Sequence, residues 1–183
     1  GVGPVIIPLQ GKTPRFGKGT FVATSADVIG DVTTGKRCSI WYNTSLRGDV
    51  MPIVLGDDTN IQDNSVVHGT HKKCGAIVGS RVTIGHSVIL HGCRIGDLCL
   101  IGMGSVIMDQ AEIPDRCIVA AGSLITEDSR FLSGHLILGR PGKAVRPLNE
   151  KELAFLPQSA DNYIMYMNWY PNEASLSPFK GDL

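Results

Sequence analysis

A six-residue period runs through most of this chain and restricts its fold more than any other feature. In steps of six from residue 77, seven of eight positions are aliphatic: Ile77, Thr83, Ile89, Ile95, Ile101, Ile107, Ile113 and Val119. Four residues further on, seven of eight positions are small: Arg81, Ser87, Cys93, Cys99, Ser105, Ala111, Cys117 and Ser123. A helix repeats every 3.6 residues and a half-buried strand every two, so this period fits neither. It is typical of a solenoid of short strands and turns with large residues stacked inside.

The same period appears earlier in the chain. The aliphatic phase runs through Val22, Val28, Thr34, Ile40 and Leu46, and it resumes at Leu55, Ile61 and Val67. Two breaks separate these stretches, at 51–54 and in the loop 69–76. Three hexads make one triangular coil of about 18 residues, so roughly fifteen hexads predict about five coils.

Composition indicates one globular domain. The 183 residues are 43% hydrophobic and 19% charged, with a formal net charge of zero. This balance gives no reason to expect nucleic acid or a membrane as a partner, and no apolar run reaches the roughly 18 residues of a membrane span.

The cysteines follow the same period. Four of them, Cys38, Cys93, Cys99 and Cys117, fall in the small inward phase, and Cys74 lies in the 69–76 loop, with no CxxC spacing. We therefore expect reduced cysteines in a cytoplasmic protein.

The period fades after Ser123. Residues 138–148 are rich in glycine and proline and predict an extended connector, which closes a β-helix domain over 1–148. A helix is predicted over 149–170, because Asn149 and Glu152 form a capping-box pattern. Its apolar stripe comprises Leu153, Leu156, Ala160, Tyr163, Ile164 and Met167. The helix belongs to the same domain and would cap the solenoid, and residues 171–183 are expected to form an irregular tail.

Three of the five histidines, His68, His86 and His91, lie off the inward phase and can reach the surface. Neutral imidazole is a common zinc ligand, and three histidines with water make an open catalytic site. Five extended residues separate His86 from His91 by roughly 16 Å, whereas a zinc–nitrogen bond is about 2.0 Å. If all three bind one ion, a neighbouring chain supplies one of them, and a cyclic trimer is the natural assembly.

Polar residues precede these histidines. Arg47 and Asp49 lie in one segment, and Asn60, Gln62 and Asp63 lie in the next. An arginine with two carboxylates suits an ion pair between subunits, in a network that is either purely structural or part of a site. The Gln62 amide can hold a substrate oxygen by a hydrogen bond.

The segments "LRGD", "TNIQDNSVVHG" and "VTIGHSVILHGCRIGDLCLIGMGSVIMD" resemble the γ-class carbonic anhydrase family, over roughly residues 10–170. The resemblance implies a left-handed parallel β-helix and a homotrimer with a metal ion between subunits: zinc, or alternatively iron or cobalt. It also implies roles for particular residues. The metal would be bound by His68 and His91 of one subunit and His86 of the next. The interface ion network would comprise Arg47, Asp49 and Asp63. The active-site polar pair would be Asn60 and Gln62, and the tyrosine of the terminal helix would be Tyr163.

The expected activity is therefore metal-dependent reversible hydration of carbon dioxide to bicarbonate. One departure concerns proton transfer, since the family prototype carries glutamates where this chain has Val50-Met51-Pro52 and a short basic loop. Two alternatives stay open. One is a hexapeptide acyltransferase or acyl-CoA thioesterase, for which His71 or His135 would serve as general base. The other is a metal-binding trimeric scaffold without catalysis.

Overall fold

The computed structural model describes residues 3–170, which form a parallel β-helix with three faces and one C-terminal helix. Strands are numbered in chain order. The first face stacks seven strands: β1 (Val5–Ile7), the start of β3 (Asp27–Thr34), the start of β5 (Ser45–Leu55), β7 (Val66–His68), β10 (Ile89–His91), β13 (Val106–Ile107) and β16 (Leu124–Ile125).

The second face continues from the first, because β3 and β5 bend around a corner of the prism. It comprises the ends of β3 and β5, then β8 (Ala76–Val78), β11 (Arg94–Ile95) and β14 (Glu112–Ile113). The third face stacks β2 (Phe21–Val22), β4 (Ser39–Ile40), β6 (Asn60–Ile61), β9 (Thr83–Ile84), β12 (Leu100–Ile101), β15 (Ile118–Val119) and β17 (His135–Gly139).

The number of coils differs from the prediction. Seven stacked strands on the first face correspond to about seven turns, whereas the period predicted about five. The additional turns lie at the two ends, where β1 and β16–β17 stack on the core although the surrounding sequence loses the hexad pattern. The parallel β-helix itself is confirmed.

The inward ladders explain why the hexads fold this way. On the first face, Leu46, Val67, Leu90, Ile107 and Ile125 pair in register from coil to coil, and all are fully buried. Each such aliphatic side chain contributes about 1.5–3 kcal/mol through burial. The inward positions of Cys38, Cys93, Cys99 and Cys117 are confirmed, since all four are buried.

The predicted phase is wrong between residues 77 and 89. The buried residues there are Val78, Ile84 and Leu90, one position later than predicted, and Ile89 is 39% exposed. The next inward residue after Leu90 is Ile95, a step of five rather than six, at the corner where Gly92 has a φ of 58°. Because side chains alternate between the two sides of a strand, this one-residue shift reverses the inward and outward positions predicted for 77–89. Val82 and Val88, rather than Arg81 and Ser87, therefore occupy the second inward series.

The C-terminal part contains a hairpin and a helix. The sequence predicts an extended connector over 138–148. This segment instead forms the end of β17 and the whole of β18 (Gly142–Pro147), which pair antiparallel as a hairpin. Helix α1 (Glu150–Met167) has the predicted N-cap at Asn149, and the capping box with Glu152 is present. The helix packs against β4 and β9 on the third face. It buries Leu156, Ser159, Ala160 and Met167, whereas Leu153, predicted in the apolar stripe, is exposed.

Two further expectations concern the ends of the chain and membranes. The predicted irregular tail, 171–183, lies outside the described residues. Among residues 3–170, no helix combines the length and hydrophobicity needed to cross a bilayer.

Candidate metal centre

Two of the three predicted metal-binding histidines meet at one corner of the prism. His68 ends β7 and His91 ends β10, and parallel pairing places them directly in register on adjacent coils. Each follows an inward residue, Val67 or Leu90, so both imidazoles point outward. His68 Nδ1 lies 3.2 Å from His91 Nε2.

The outer ring nitrogens of the same pair are held by carboxylates. His68 Nε2 donates to Asp49 Oδ1 at 2.9 Å, and His91 Nδ1 donates to Asp109 Oδ1 at 2.6 Å. A carboxylate only accepts hydrogen bonds, so these contacts place the protons on the outer nitrogens. In the neutral imidazoles, the inner nitrogens then carry the lone pairs that a metal ion accepts.

The spacing of these nitrogens fits a metal ion. Two imidazole ligands of a tetrahedral zinc ion, with bonds of about 2.0–2.1 Å, hold their nitrogens roughly 3.3 Å apart, close to the 3.2 Å between His68 and His91. A metal-binding histidine typically donates its other N–H to a carboxylate, as both do here. The donor set of this corner therefore suits zinc or another divalent metal that accepts imidazole.

Asp109 is a residue of the candidate site that the sequence pattern does not predict. It is buried, and besides His91 it accepts hydrogen bonds from the Thr70 hydroxyl at 2.6 Å and from Lys73 Nζ at 3.3 Å. Burial alone would raise the pKa of Asp109, but these three hydrogen bonds together lower it to about 2. Asp109 follows His91 by 18 residues, one full coil, and that interval was the available signal.

The third predicted ligand, His86, lies at another corner. It occupies the turn between β9 and β10, and its Nδ1 donates to Asp63 Oδ2 at 2.9 Å. The His86 side chain is 45% exposed, and the bond to Asp63 leaves Nε2 available. Four residues, 87–90, lie between His86 and His91 and lead along the first face, so the two corners flank that face.

Tyr163 reaches the His86 corner from helix α1. With Asp63 it lines a cavity of about 260 Å³, whose other walls are Trp41, Tyr42, Tyr166, Trp169 and Tyr170. Burial, with a smaller effect of the Asp63 charge, raises the pKa of Tyr163 to about 12. Tyr163 is therefore a neutral phenol at physiological pH.

Arg47 and Asp49 form an ion pair beside His68. Burial would raise the pKa of Asp49, but hydrogen bonds from His68 and Arg47 lower it below its ordinary value. The Arg47 side chain is 47% exposed, which leaves guanidinium N–H groups free for a further acceptor. The third member of the predicted network, Asp63, lies at the His86 corner.

Asn60 and Gln62 form a buried pair of amides. Gln62 Nε2 donates to Asn60 Oδ1 at 3.0 Å, and Asn60 Nδ2 donates to Thr83 Oγ1 at 3.3 Å. Thr83 in turn contacts Ser159 Oγ of helix α1 at 2.9 Å. The helix therefore fixes the pair, and the side-chain oxygen Oε1 of Gln62 accepts no hydrogen bond from residues 3–170.

One chain alone does not bring the three histidines together. Within residues 3–170, no three His, Cys, Asp or Glu side chains are placed to hold one metal ion. The two histidines considered as general bases lie elsewhere: His71 is exposed in the 70–74 turn, and His135 Nδ1 donates to the Ser133 carbonyl.

Comparison with known proteins gives consistent similarities. The family described as bacterial transferase hexapeptide (six repeats) matches residues 75–107 and 92–127. The mitochondrial γ carbonic anhydrase 2 of Arabidopsis thaliana is 43% identical over 171 residues, covering 91% of this chain and 62% of that relative. A carbonic anhydrase of Geobacillus kaustophilus is 41% identical over 166 residues, covering 91% of each chain.

The crystal structure of a hexapeptide transferase family protein from Anaplasma phagocytophilum has a TM-score of 0.87 and 46% identity, and covers 91% of this chain and 98% of that one. The chain spans about six tenths of the length of the two Arabidopsis relatives, 62% and 57%. Identity above 40% across nearly the whole Geobacillus protein shows the family. This chain belongs to the γ carbonic anhydrase family of hexapeptide-repeat proteins.

Proposed function

We propose that the protein catalyses the reversible hydration of carbon dioxide to bicarbonate, at a three-histidine metal site shared between subunits of a homotrimer. His68 and His91 of one subunit and His86 of the next would hold the metal. The ion is zinc, or iron or cobalt. The observation that carries this proposal is the 3.2 Å approach of His68 Nδ1 to His91 Nε2, with both outer nitrogens bound to carboxylates.

The positions of the two corners support a shared site. The corner with two histidines and the corner with His86 lie at opposite ends of the first face, so copies arranged around a three-fold axis bring unlike corners together. The face between them carries Val66 and Ile89, which pair in register and are each 39% exposed. An outward apolar pair between two half-sites suits the core of an interface.

The side chains of this chain would each have a defined part. When bound, the metal ion supplies a Lewis acid that makes hydroxide available from water near neutral pH. Asp49, Asp109 and Asp63 fix the tautomers of the three histidines. Gln62, held by Asn60, offers a hydrogen bond that orients a substrate oxygen. Arg47, with free N–H groups, would pair with Asp63 of the adjacent copy and align the two corners.

The test is complementation between two inactive variants. His68→Ala and His86→Ala chains are purified separately, loaded with zinc, and assayed for carbon dioxide hydration by stopped flow. Each alone should lose nearly all activity and most bound metal. After co-refolding, mixed trimers should recover a fraction of intact sites, because one chain supplies His86 and the other supplies His68.

A mixture of His68→Ala with His91→Ala is the matched control. Both variants lack a ligand of the same corner, so mixing restores no intact site and no activity. Equal recovery in both mixtures, or full metal retention by His86→Ala, would overturn the shared-site proposal. A fully metallated wild-type trimer with no hydration above the buffer rate, with zinc, iron or cobalt, would overturn the activity.

A further inference from the structure

A groove on the second face adjoins the site described above through Lys73 and is otherwise distinct from it. Two adjoining cavities, of about 410 Å³ and 300 Å³, share Arg94, Glu112 and Arg130 as lining residues. The larger cavity extends from Arg130 to the 70–75 turn, where Lys73, Cys74 and Gly75 form its far wall. The second face lies outside the corner-to-corner contact proposed for the trimer, so the groove stays open in that assembly.

The charge of the larger cavity is positive. Its ionisable lining residues are three cations, Lys73, Arg94 and Arg130, and one carboxylate, Glu112. Arg130 pairs with Glu112 at 3.4 Å, and Lys73 pairs with Asp109 at 3.3 Å. Arg130 and Glu112 therefore neutralise each other in part, as do Lys73 and Asp109, and Arg94 is left as the uncompensated charge.

Arg94 is the residue that points to a ligand. Its strand neighbour Ile95 is buried inward, so the guanidinium projects outward into the groove, opposite Ile77 on one side and Glu112 on the other. Within residues 3–170 the Arg94 side chain forms no hydrogen bond or ion pair, although Glu112 is its register partner. A free planar guanidinium with a second arginine nearby suits the oxygens of a phosphate group.

Most of the remaining lining is apolar, with Gln110 as the polar exception, and it limits the kind of ligand. Met51, Pro52, Ile77, Cys93 and Ala111 form the floor between Arg94 and the 70–75 turn. A volume of this size lies in the range of sites for small organic ligands, and it far exceeds what an inorganic anion fills. Arg130 Nη1 donates to the Gln110 and Ser129 carbonyls, so a ligand would meet its other N–H groups. A phosphate carries about −1.5 to −2 charges at neutral pH and three acceptor oxygens, so it suits Arg94 together with these groups, whereas one arginine satisfies a carboxylate.

We propose that this groove binds a small organic phosphate, with the phosphate at Arg94 and Arg130 and the apolar body on Ile77 and Pro52. The site is separate from the metal centre and does not depend on the proposed hydration activity. Its nearest link to that centre is Lys73, which contacts Asp109 from the wall of the groove.

The experiment is isothermal titration calorimetry on the full chain with three probes: phenyl phosphate, inorganic phosphate and benzoate. Phenyl phosphate should bind with the highest affinity. Arg94→Gln should weaken that binding by at least about tenfold, because a charge-assisted contact is lost. Arg116→Gln is the matched control, since Arg116 is exposed in a turn and lines neither cavity, and it should leave the affinity unchanged.

Circular dichroism spectra and melting curves establish that each variant is folded. Arg94 is exposed and its guanidinium forms no hydrogen bond within residues 3–170, so its replacement should not affect folding. Absence of saturable phenyl phosphate binding at millimolar concentration would overturn the proposal, and so would equal binding by Arg94→Gln. Equal affinity for inorganic phosphate would refute the apolar subsite. Metal content measured in parallel should be the same in all variants, which separates this result from the proposed activity.

Discussion

At the scale of single residues, the feature with the largest chemical consequence is the carboxylate behind each histidine. Asp109 is the most constrained of the three, because a hydroxyl, an ammonium and an imidazole all donate to it. It keeps the proton of His91 on Nδ1, so that Nε2 faces His68. Asp109 is therefore a positioning residue, and it acts through His91.

We predict that Asp109→Asn weakens metal binding by about 10–100-fold, the usual effect of losing a partner behind a metal-binding histidine. An amide can donate to Nδ1 and so stabilise the tautomer with its proton on Nε2, which blocks the nitrogen needed for the metal. Competition with a chelator measures the affinity. Asp128→Asn, an exposed turn residue, should bind metal as the wild type does. Unchanged affinity in folded Asp109→Asn would contradict the positioning role.

The residues of the candidate site differ in how far the sequence predicts them. His68, His86 and His91 are predicted because they fall outside a periodic inward series, which is visible without coordinates. The contact of Asp109 with Thr70 and Lys73 is not, because it joins residues about 36–39 positions apart across the irregular 69–76 loop. Only coil stacking reveals which residues that loop brings to the histidine.

At the scale of elements, helix α1 is held to the β-helix by its first turn and by its buried stripe. Arg146 at the end of β18 forms two hydrogen bonds with the Glu152 carboxylate, at 2.7 and 2.8 Å, and Glu152 also accepts from the Asn149 backbone N–H. The bonds from Arg146, with a smaller contribution from Asn149, lower the pKa of Glu152 to about 2. One carboxylate therefore links the hairpin to the helix.

We predict a pH-dependent stability difference between the wild type and Glu152→Gln. The folded pKa of about 2 lies below the ordinary value of 4.5, so protonation favours the unfolded state. The stabilisation is complete above about pH 4.5 and is lost as the pH falls through about 2. Glutamine can still complete the capping box, so the variant isolates the charge. Melting curves across this pH range should show a lower melting temperature for Glu152→Gln at pH 7 and convergence near pH 2.

Glu150→Gln provides the comparison for that prediction. Glu150 lies in the same first turn but has no ion pair within residues 3–170. Its replacement should lower the melting temperature less, because only a weak interaction with the helix dipole is lost. Equal shifts for the two variants would indicate that helix charge, rather than the contact with Arg146, determines the effect.

Among these elements, the sequence predicts correctly those whose signals are local and fails where distant residues decide the structure. The capping box of α1 is predicted correctly because all its atoms lie within four residues. The inward phase at 77–89 is predicted wrongly because the five-residue step sits at Leu90–Ile95, where a corner is shortened and no proline marks the break. The hairpin β17–β18 is not predicted, because its glycines and prolines are equally typical of an extended connector.

At the scale of the whole molecule, the first face sets the expected assembly. Val66 and Ile89 form an outward apolar pair between the two histidine corners. The hexad pattern assigns Ile89 to the interior, so the sequence alone hides this surface. Helix α1 packs on β4 and β9 of the third face, and the second face carries the charged groove, which favours the first face for contact between copies.

We predict that Ile89→Asp converts the proposed trimer to monomers, because a charge placed in an apolar interface core loses its hydration. Sedimentation velocity should show a mass near 19.6 kDa for the variant and roughly three times that for the wild type. Val54→Asp is the control, since Val54 is exposed to a similar degree on the second face, and it should stay trimeric. A trimeric Ile89→Asp protein would contradict this interface.

The last prediction concerns how protons leave the proposed site. Carboxylates close to Asp49 and in the 69–76 loop would carry a proton to solvent, but this chain has Val50 after Asp49, and the loop contributes Thr70 and Lys73, both bound to Asp109. We expect turnover at saturating carbon dioxide to rise with buffer concentration, because buffer molecules must accept the proton. Val50→Glu should reduce that dependence by supplying a carboxylate beside Asp49, whereas Val54→Glu on the second face should not. Stopped-flow hydration over a range of buffer concentrations at fixed ionic strength measures the effect. A wild-type turnover independent of buffer would show that another group in the trimer carries the proton.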